Sequence, residues 1–133
     1  MPEHFVDTWF FVARLSRFDE HYAAAQRLET RFGNDLVTHD GVLTEVLAFF
    51  SGFGQSARVD AARIVRRMIR ESTVVELDRR LFLEALDLYE QRRDKEYSLV
   101  DCASMVVMRH RGIQHVLTND HHFTQGGFTI INA

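Results

Sequence analysis

The chain has 133 residues, 46% hydrophobic and 26% charged, which suits one globular domain over 1–133 and leaves no room for a second core. One Pro and seven Gly exclude collagenous and low-complexity chains, and the lone Cys102 excludes an internal disulfide framework and a cysteine zinc cluster. Sixteen Lys+Arg against nineteen Asp+Glu give a net charge of −3, so the whole is not the basic body of a nonspecific nucleic-acid binder, although fifteen of the sixteen cations are Arg. Arg is the better fork for phosphate oxygens, and a compositional bias of the source explains the count equally well.

The elements follow in order. Residues 4–13, from His4 to Ala13, form a nearly continuous apolar run of strong β propensity, the pattern of a strand buried on both faces. Asp19 is placed to cap a helix over about 20–32, with Phe18, Tyr22, Ala25 and Leu28 at helical spacing. Leu36-Val37-Thr38 reads as a short strand, and Asp40 as the N-cap of a helix from Gly41 to about Phe50. Ser56 caps a helix to about Arg70, Thr73 to Leu77 is a strand, and Asp78 caps a helix to about Arg92. Ser98 opens a helix to about Arg111, which Gly112 closes. His115 to Thr118 and Phe128 to Ile131 are the last two strands. Alternation of short apolar strands with amphipathic helices means an α/β fold with a mainly parallel sheet.

No apolar run approaches the ~18 residues of a membrane span. The apolar opening carries Asp7 and lacks the basic lead of a signal peptide, so a cytoplasmic chain away from the membrane is expected.

In a parallel sheet, ligands bind beyond the carboxyl ends of the strands. Asp7, Glu45, Asp101 and Asp120 fall there. Each has a plain structural role open to it: Asp7 ends a strand, Asp101 completes a capping box with Ser98, and Asp120 makes a turn in Thr118-Asn119-Asp120. Glu45 is harder to dismiss, because Gly41, Val42, Ala48, Phe49 and Gly52 put its face on the apolar stripe. Acids in apolar company at one sheet edge repel one another unless a cation neutralises them. Carboxylate oxygens without thiolates or a spaced His pair select Mg²⁺ or Mn²⁺ over Zn²⁺. One or two such ions activate a water for phosphodiester cleavage, so the pattern reads as a metal nuclease.

Rival chemistries fit worse. A phosphoacceptor receiver wants an acidic pair after the first strand, and Asp7-Thr8-Trp9 breaks the Asp-x-Asp of a dehalogenase-type phosphatase. No Gly-rich phosphate loop and no nucleophile elbow is present. His121 and His122 are adjacent, so one rigid element does not aim both at one ion; one of them is read as a surface or substrate contact.

The chain resembles the PIN-domain ribonucleases and, within them, the VapC-type toxins of bacterial toxin–antitoxin pairs. The resemblance rests on Val6-Asp7-Thr8, on Leu36-Val37-Thr38 leading to Val42-Leu43-Thr44-Glu45, and most specifically on two longer stretches. These are Asp94 to Ser104, containing Ser98-Leu99-Val100-Asp101, and Leu117-Thr118-Asn119-Asp120-His121-His122-Phe123 followed by Gly127-Phe128. It implies a three-layer α/β/α fold around a mainly parallel sheet of about five strands. It also implies Mg²⁺- or Mn²⁺-dependent endoribonuclease activity, with Asp7, Glu45, Asp101 and Asp120 as catalytic and metal-binding residues. An RNA substrate, a cognate antitoxin and a homodimer are the implied partners. One departure stands out: where the family often has Ser or Gly two residues after the first Asp, this chain has Trp9. Trp9 is read as core, with a place in the groove as the other option.

Four further positions are weighed. Asp94, beside Lys95, reads as a salt pair rather than a ligand. Ser104 is either a donor to the carboxylates or a satisfied core hydroxyl. Phe49, Phe50 and Phe53 read as core, with one of them flooring a partner groove as the other possibility. The alternatives to an RNA-cleaving toxin are an inactive PIN-like module that binds RNA or protein, and a DNA-directed metal nuclease.

Overall fold

The computed structural model describes residues 2–92 and 96–131. Five strands form one parallel sheet: β1 (His4–Val6), β2 (Leu36–His39), β3 (Thr73–Val75), β4 (His115–Leu117) and β5 (Thr129–Ile131), in the order β3-β2-β1-β4-β5. Between them run α1 (Thr8–Leu15), α2 (Tyr22–Phe32), α3 (Asp40–Phe50), α4 (Gln55–Glu71), α5 (Arg79–Gln91), α6 (Leu99–Arg111) and α7 (His122–Gln125).

The strand order explains the layers. The chain winds outward from β1 through β2 to β3, then returns to the other side of β1 for β4 and β5. Right-handed crossovers put the helices of the first winding on one face and those of the second on the other. β1 and β2 are buried throughout because they are covered from both sides. The winding reverses between β1 and β4, and in such sheets the crevice opens at that switch point. Asp7 directly follows β1, and Thr118 to Asp120 directly follow β4.

Several expectations need correction. The run from His4 to Ala13 is a three-residue strand and the start of a helix, broken at Asp7. A continuous apolar run has no period to separate the two, and α1 buries Phe10, Phe11 and Ala13 as thoroughly as a strand would. Phe18 lies outside α2 and is 93% exposed, and Asp19 accepts from the amide of His21 (2.7 Å) in the turn before the helix. Asp40 is the first residue of α3, capped instead by His39; its carboxylate accepts from the Leu77 amide (3.1 Å). α4 starts after Gly54, one residue ahead of Ser56. β3 stops at Val75, β4 at Leu117, and β5 begins at Thr129.

Other local signals act as read. Asp78 caps α5 through the amide of Leu81 (2.9 Å). Ser98 and Asp101 form a reciprocal capping box, and Gly112 ends α6 at φ +66, a conformation that costs a side-chain-bearing residue energy.

Candidate active site

Asp7 comes from the turn after β1, Glu45 from α3, Asp101 from α6 and Asp120 from the turn after β4. Their charges act on one another, although among the described residues only Asp101 and Asp120, with His122, bring ligand atoms into one close group. The charges of Asp101 and Asp120 bear on Asp7, that of Asp101 on Glu45, and that of Asp120 on Asp101. Single ligand atoms of Asp101, Asp120 and His122 lie within 4.8 Å of one another.

Asp7 is only 6% exposed. Burial, with the neighbouring charges of Asp101 and Asp120 adding to it, pushes its carboxyl up to about 7. The hydroxyl of Thr118 donates to Asp7 Oδ2 (2.9 Å) and pulls the other way. Burial likewise raises Glu45 and Asp101 above the usual carboxylate range. No Arg or Lys pairs with Asp7, Glu45 or Asp101 among the described residues.

Glu45 is half-buried at the margin of the apolar stripe rather than on it: Val42, Val46 and Phe50 face the core, whereas Ala48 is exposed and Phe49 is 47% exposed. Phe53, at 66%, is exposed too, so only Phe50 of the three aromatics is core. Thr8 Oγ1 donates to Glu45 Oε1 at 2.6 Å across the α1–α3 contact.

The plain structural roles and the cluster coexist. Asp101 serves its capping box with Oδ2, which accepts from the Ser98 amide (3.1 Å). Asp120 makes its turn, its amide donating to Thr118 Oγ1 (3.0 Å) and its Oδ1 accepting from the His122 amide (3.0 Å). His122 Nδ1 also stands 3.0 Å from Asp120 Oδ1, while His121 is exposed. Of the two histidines, His122 therefore belongs to the cluster. Its place is held by Tyr97, whose hydroxyl donates to the His122 carbonyl (2.8 Å) and whose ring meets the imidazole edge-on at 5.7 Å.

Ser104 makes no bond to a carboxylate: its hydroxyl donates to the Val100 carbonyl (2.9 Å) and meets His39 Nε2. Trp9 is half-buried on α1, packed against the core with its ring 5.6 Å from that of His21, so the core reading holds in part. Asp94 and Lys95 lie outside the described residues.

Sequence reasoning missed Thr8, Thr118 and Tyr97. The signal for two of them was adjacency: Thr8 follows Asp7, and Thr118 opens the Asp120 turn. The donor set suits a hard divalent cation, being mostly carboxylate oxygen, half-buried or buried, mutually repelling, and without an Arg or Lys paired to Asp7, Glu45 or Asp101 among the described residues.

Comparison with known proteins agrees with this geometry. Residues 4–128 match the PIN domain. The 23S rRNA-specific endonuclease VapC20 of Mycobacterium tuberculosis is 34% identical over 128 residues, spanning 93% of this chain and 94% of that protein. The crystal structure of VapC20, described as a sarcin–ricin-loop-cleaving toxin, superposes at TM-score 0.89 with 30% identity over 98% of this chain and 100% of that one. DNA-bound VapBC from Salmonella typhimurium shares the fold at TM-score 0.66 and 17% identity, covering 98% of each chain. FitAB bound to a DNA fragment shares it at 0.70 and 15%, covering 96% and 93%. With a PIN match across nearly its whole length and a curated relative at 34% identity, the chain belongs to the PIN-domain family.

Proposed function

We propose that this chain is a Mg²⁺- or Mn²⁺-dependent endoribonuclease of the toxin type, cleaving structured RNA such as 23S rRNA. The observation that carries the reading is four carboxylates whose charges bear on one another at the sheet's switch point, with no Arg or Lys paired to Asp7, Glu45 or Asp101 among the described residues. The 34% identity to an rRNA-specific endonuclease supports RNA as the substrate class.

Asp7, Glu45, Asp101 and Asp120 would hold the ion. When bound, a divalent cation supplies the charge that acidifies a water and stabilises the phosphoryl and leaving oxygens. The chain's own groups prepare that site. Thr8 aims Glu45, Thr118 aims Asp7, and His122 orients Asp120. Asp7, whose carboxyl burial otherwise raises, would be favoured in its ionised form by a bound divalent cation.

The relatives found as VapBC and FitAB complexes support a cognate antitoxin as partner, and a homodimer is the proposed assembly. Among the described residues no helix is long and apolar enough to cross a membrane, and the proposed place of action is the cytoplasm.

The test is cleavage of an RNA hairpin carrying the sarcin–ricin loop, beside single-stranded DNA, in Mn²⁺ and in EDTA. RNA cleavage lost in EDTA and reduced at least about a hundredfold in Asp101→Asn is expected, because losing a ligand exceeds losing its supporting partner. Equal cleavage by Asp101→Asn would end the reading, and cleavage of DNA alone would replace RNA as substrate.

A further inference from the structure

We infer that His39 is a positioning residue that ties the Glu45 helix to the Asp101 helix and thereby sets the grip of the acidic cluster on a divalent cation. The inference rests on the metal-nuclease reading above.

His39 ends β2 and is fully buried, at 0% exposure. Its Nδ1 accepts from the Gly41 amide at 3.0 Å, capping α3. An amide N–H can only donate, so Nδ1 is unprotonated and Nε2 carries the ring proton. Nε2 lies 3.0 Å from Ser104 Oγ and 3.3 Å from the Val100 carbonyl, both on α6. Since the Ser104 hydroxyl gives its proton to Val100, its oxygen is free to accept from His39. Burial pushes the imidazole down to about 4, so it stays neutral and the arrangement does not depend on pH in the working range.

An ordinary cap would not need this residue. Ser, Thr, Asn and Asp cap helices with one short side chain and reach no further. Here one ring caps the helix that carries Glu45 and, from its far nitrogen, crosses to the helix whose next residue after Val100 is Asp101. The chain has adapted to the ring: a Cβ on Gly41 would stand 2.7 Å from His39 Cε1 and 3.0 Å from Nδ1. The tie opposes a real force, because the charge of Asp101 on α6 disfavours that of Glu45 on α3.

The test uses the full chain, with Mn²⁺ titrated calorimetrically and melting recorded in EDTA. His39→Asn keeps an acceptor for the Gly41 amide and drops the reach to α6; Ser104→Ala removes the bridging hydroxyl alone. We expect Mn²⁺ binding weaker by on the order of tenfold in His39→Asn and less in Ser104→Ala, with cleavage recovered at raised Mn²⁺. If both variants bind Mn²⁺ within about twofold of the unaltered chain, whatever their melting in EDTA, His39 is a structural cap only and the inference fails. Absence of Mn²⁺ binding by the unaltered chain would overturn the nuclease reading itself.

Discussion

Glu29 and Glu45 are the same residue type, both half-buried on helices, and their surroundings are opposite. Glu29 receives Arg14 Nε on one oxygen (2.8 Å) and Arg67 Nη2 on the other (3.0 Å). Glu45 receives one neutral hydroxyl, from Thr8, and faces the charge of Asp101. A chain with fifteen Arg thus neutralises one glutamate twice and leaves the other to its fellow carboxylates. Around Glu29 the charges are arranged for folding; around Glu45 they are arranged against it, as they are where a ligand must complete the balance.

The strongest way to break that contrast is to remove the most buried acid. Asp7 titrates near 7 in the folded chain against an ordinary 3.8, so between those values the folded state holds a proton that the unfolded state has released. This contribution to metal-free stability is complete below pH about 4 and is lost as the pH rises through about 7. Asp7→Asn, which cannot ionise, should be more stable than the unaltered chain at pH 8 in EDTA, by roughly 2–4 kcal/mol. The gain should shrink toward pH 5, while Mn²⁺ binding is lost. Denaturant unfolding at the two pH values checks both signs, and a destabilised Asp7→Asn at pH 8 would show that its environment is not strained.

A smaller change separates support from neutralisation. Thr8→Val keeps the shape beside Glu45 but removes its hydrogen bond, and Mn²⁺ affinity should fall on the order of tenfold. Calorimetric titration reads this directly. The smallest effect belongs to the other glutamate. Arg67→Ala leaves Arg14 on Glu29 and removes two partly exposed pairs, to Glu29 and to Glu71, so the cost should be about 0.5–1 kcal/mol in denaturant unfolding. Mn²⁺ affinity should not move; a parallel loss would mean that the two carboxylate neighbourhoods are coupled.

Legibility followed the range of the interaction. The Ser98–Asp101 box, the Asp78 cap and the Gly112 terminus lie within a few residues of their partners, so spacing alone located them. The start of α1 was hidden because Trp9 to Ala13 continue the apolar run of β1 without a polar residue to mark a helical period. The Asp40 cap was misassigned because Asp40 has a distant acceptor role with Leu77, and His39, a rare cap, stands one position earlier. Phe49 and Phe53 look like core in composition, yet the face that α3 presents to the core runs through Val42, Val46 and Phe50.

The charge count at the outset also divides in space. Setting the four proposed ligands aside leaves the rest of the chain slightly cationic, so the near-neutral whole joins an acidic centre to a body rich in Arg. The sequence by itself determined the alternation of strands and helices, the acids at strand ends and the resemblance to a nuclease family, because periodicity and short motifs are local properties. Only the tertiary structure decided that Thr8 serves Glu45, that Thr118 serves Asp7, and that His39 and Ser104 join two acid-bearing helices. Those partners are far apart in the chain, and hydrogen bonds between distant residues leave no spacing to read.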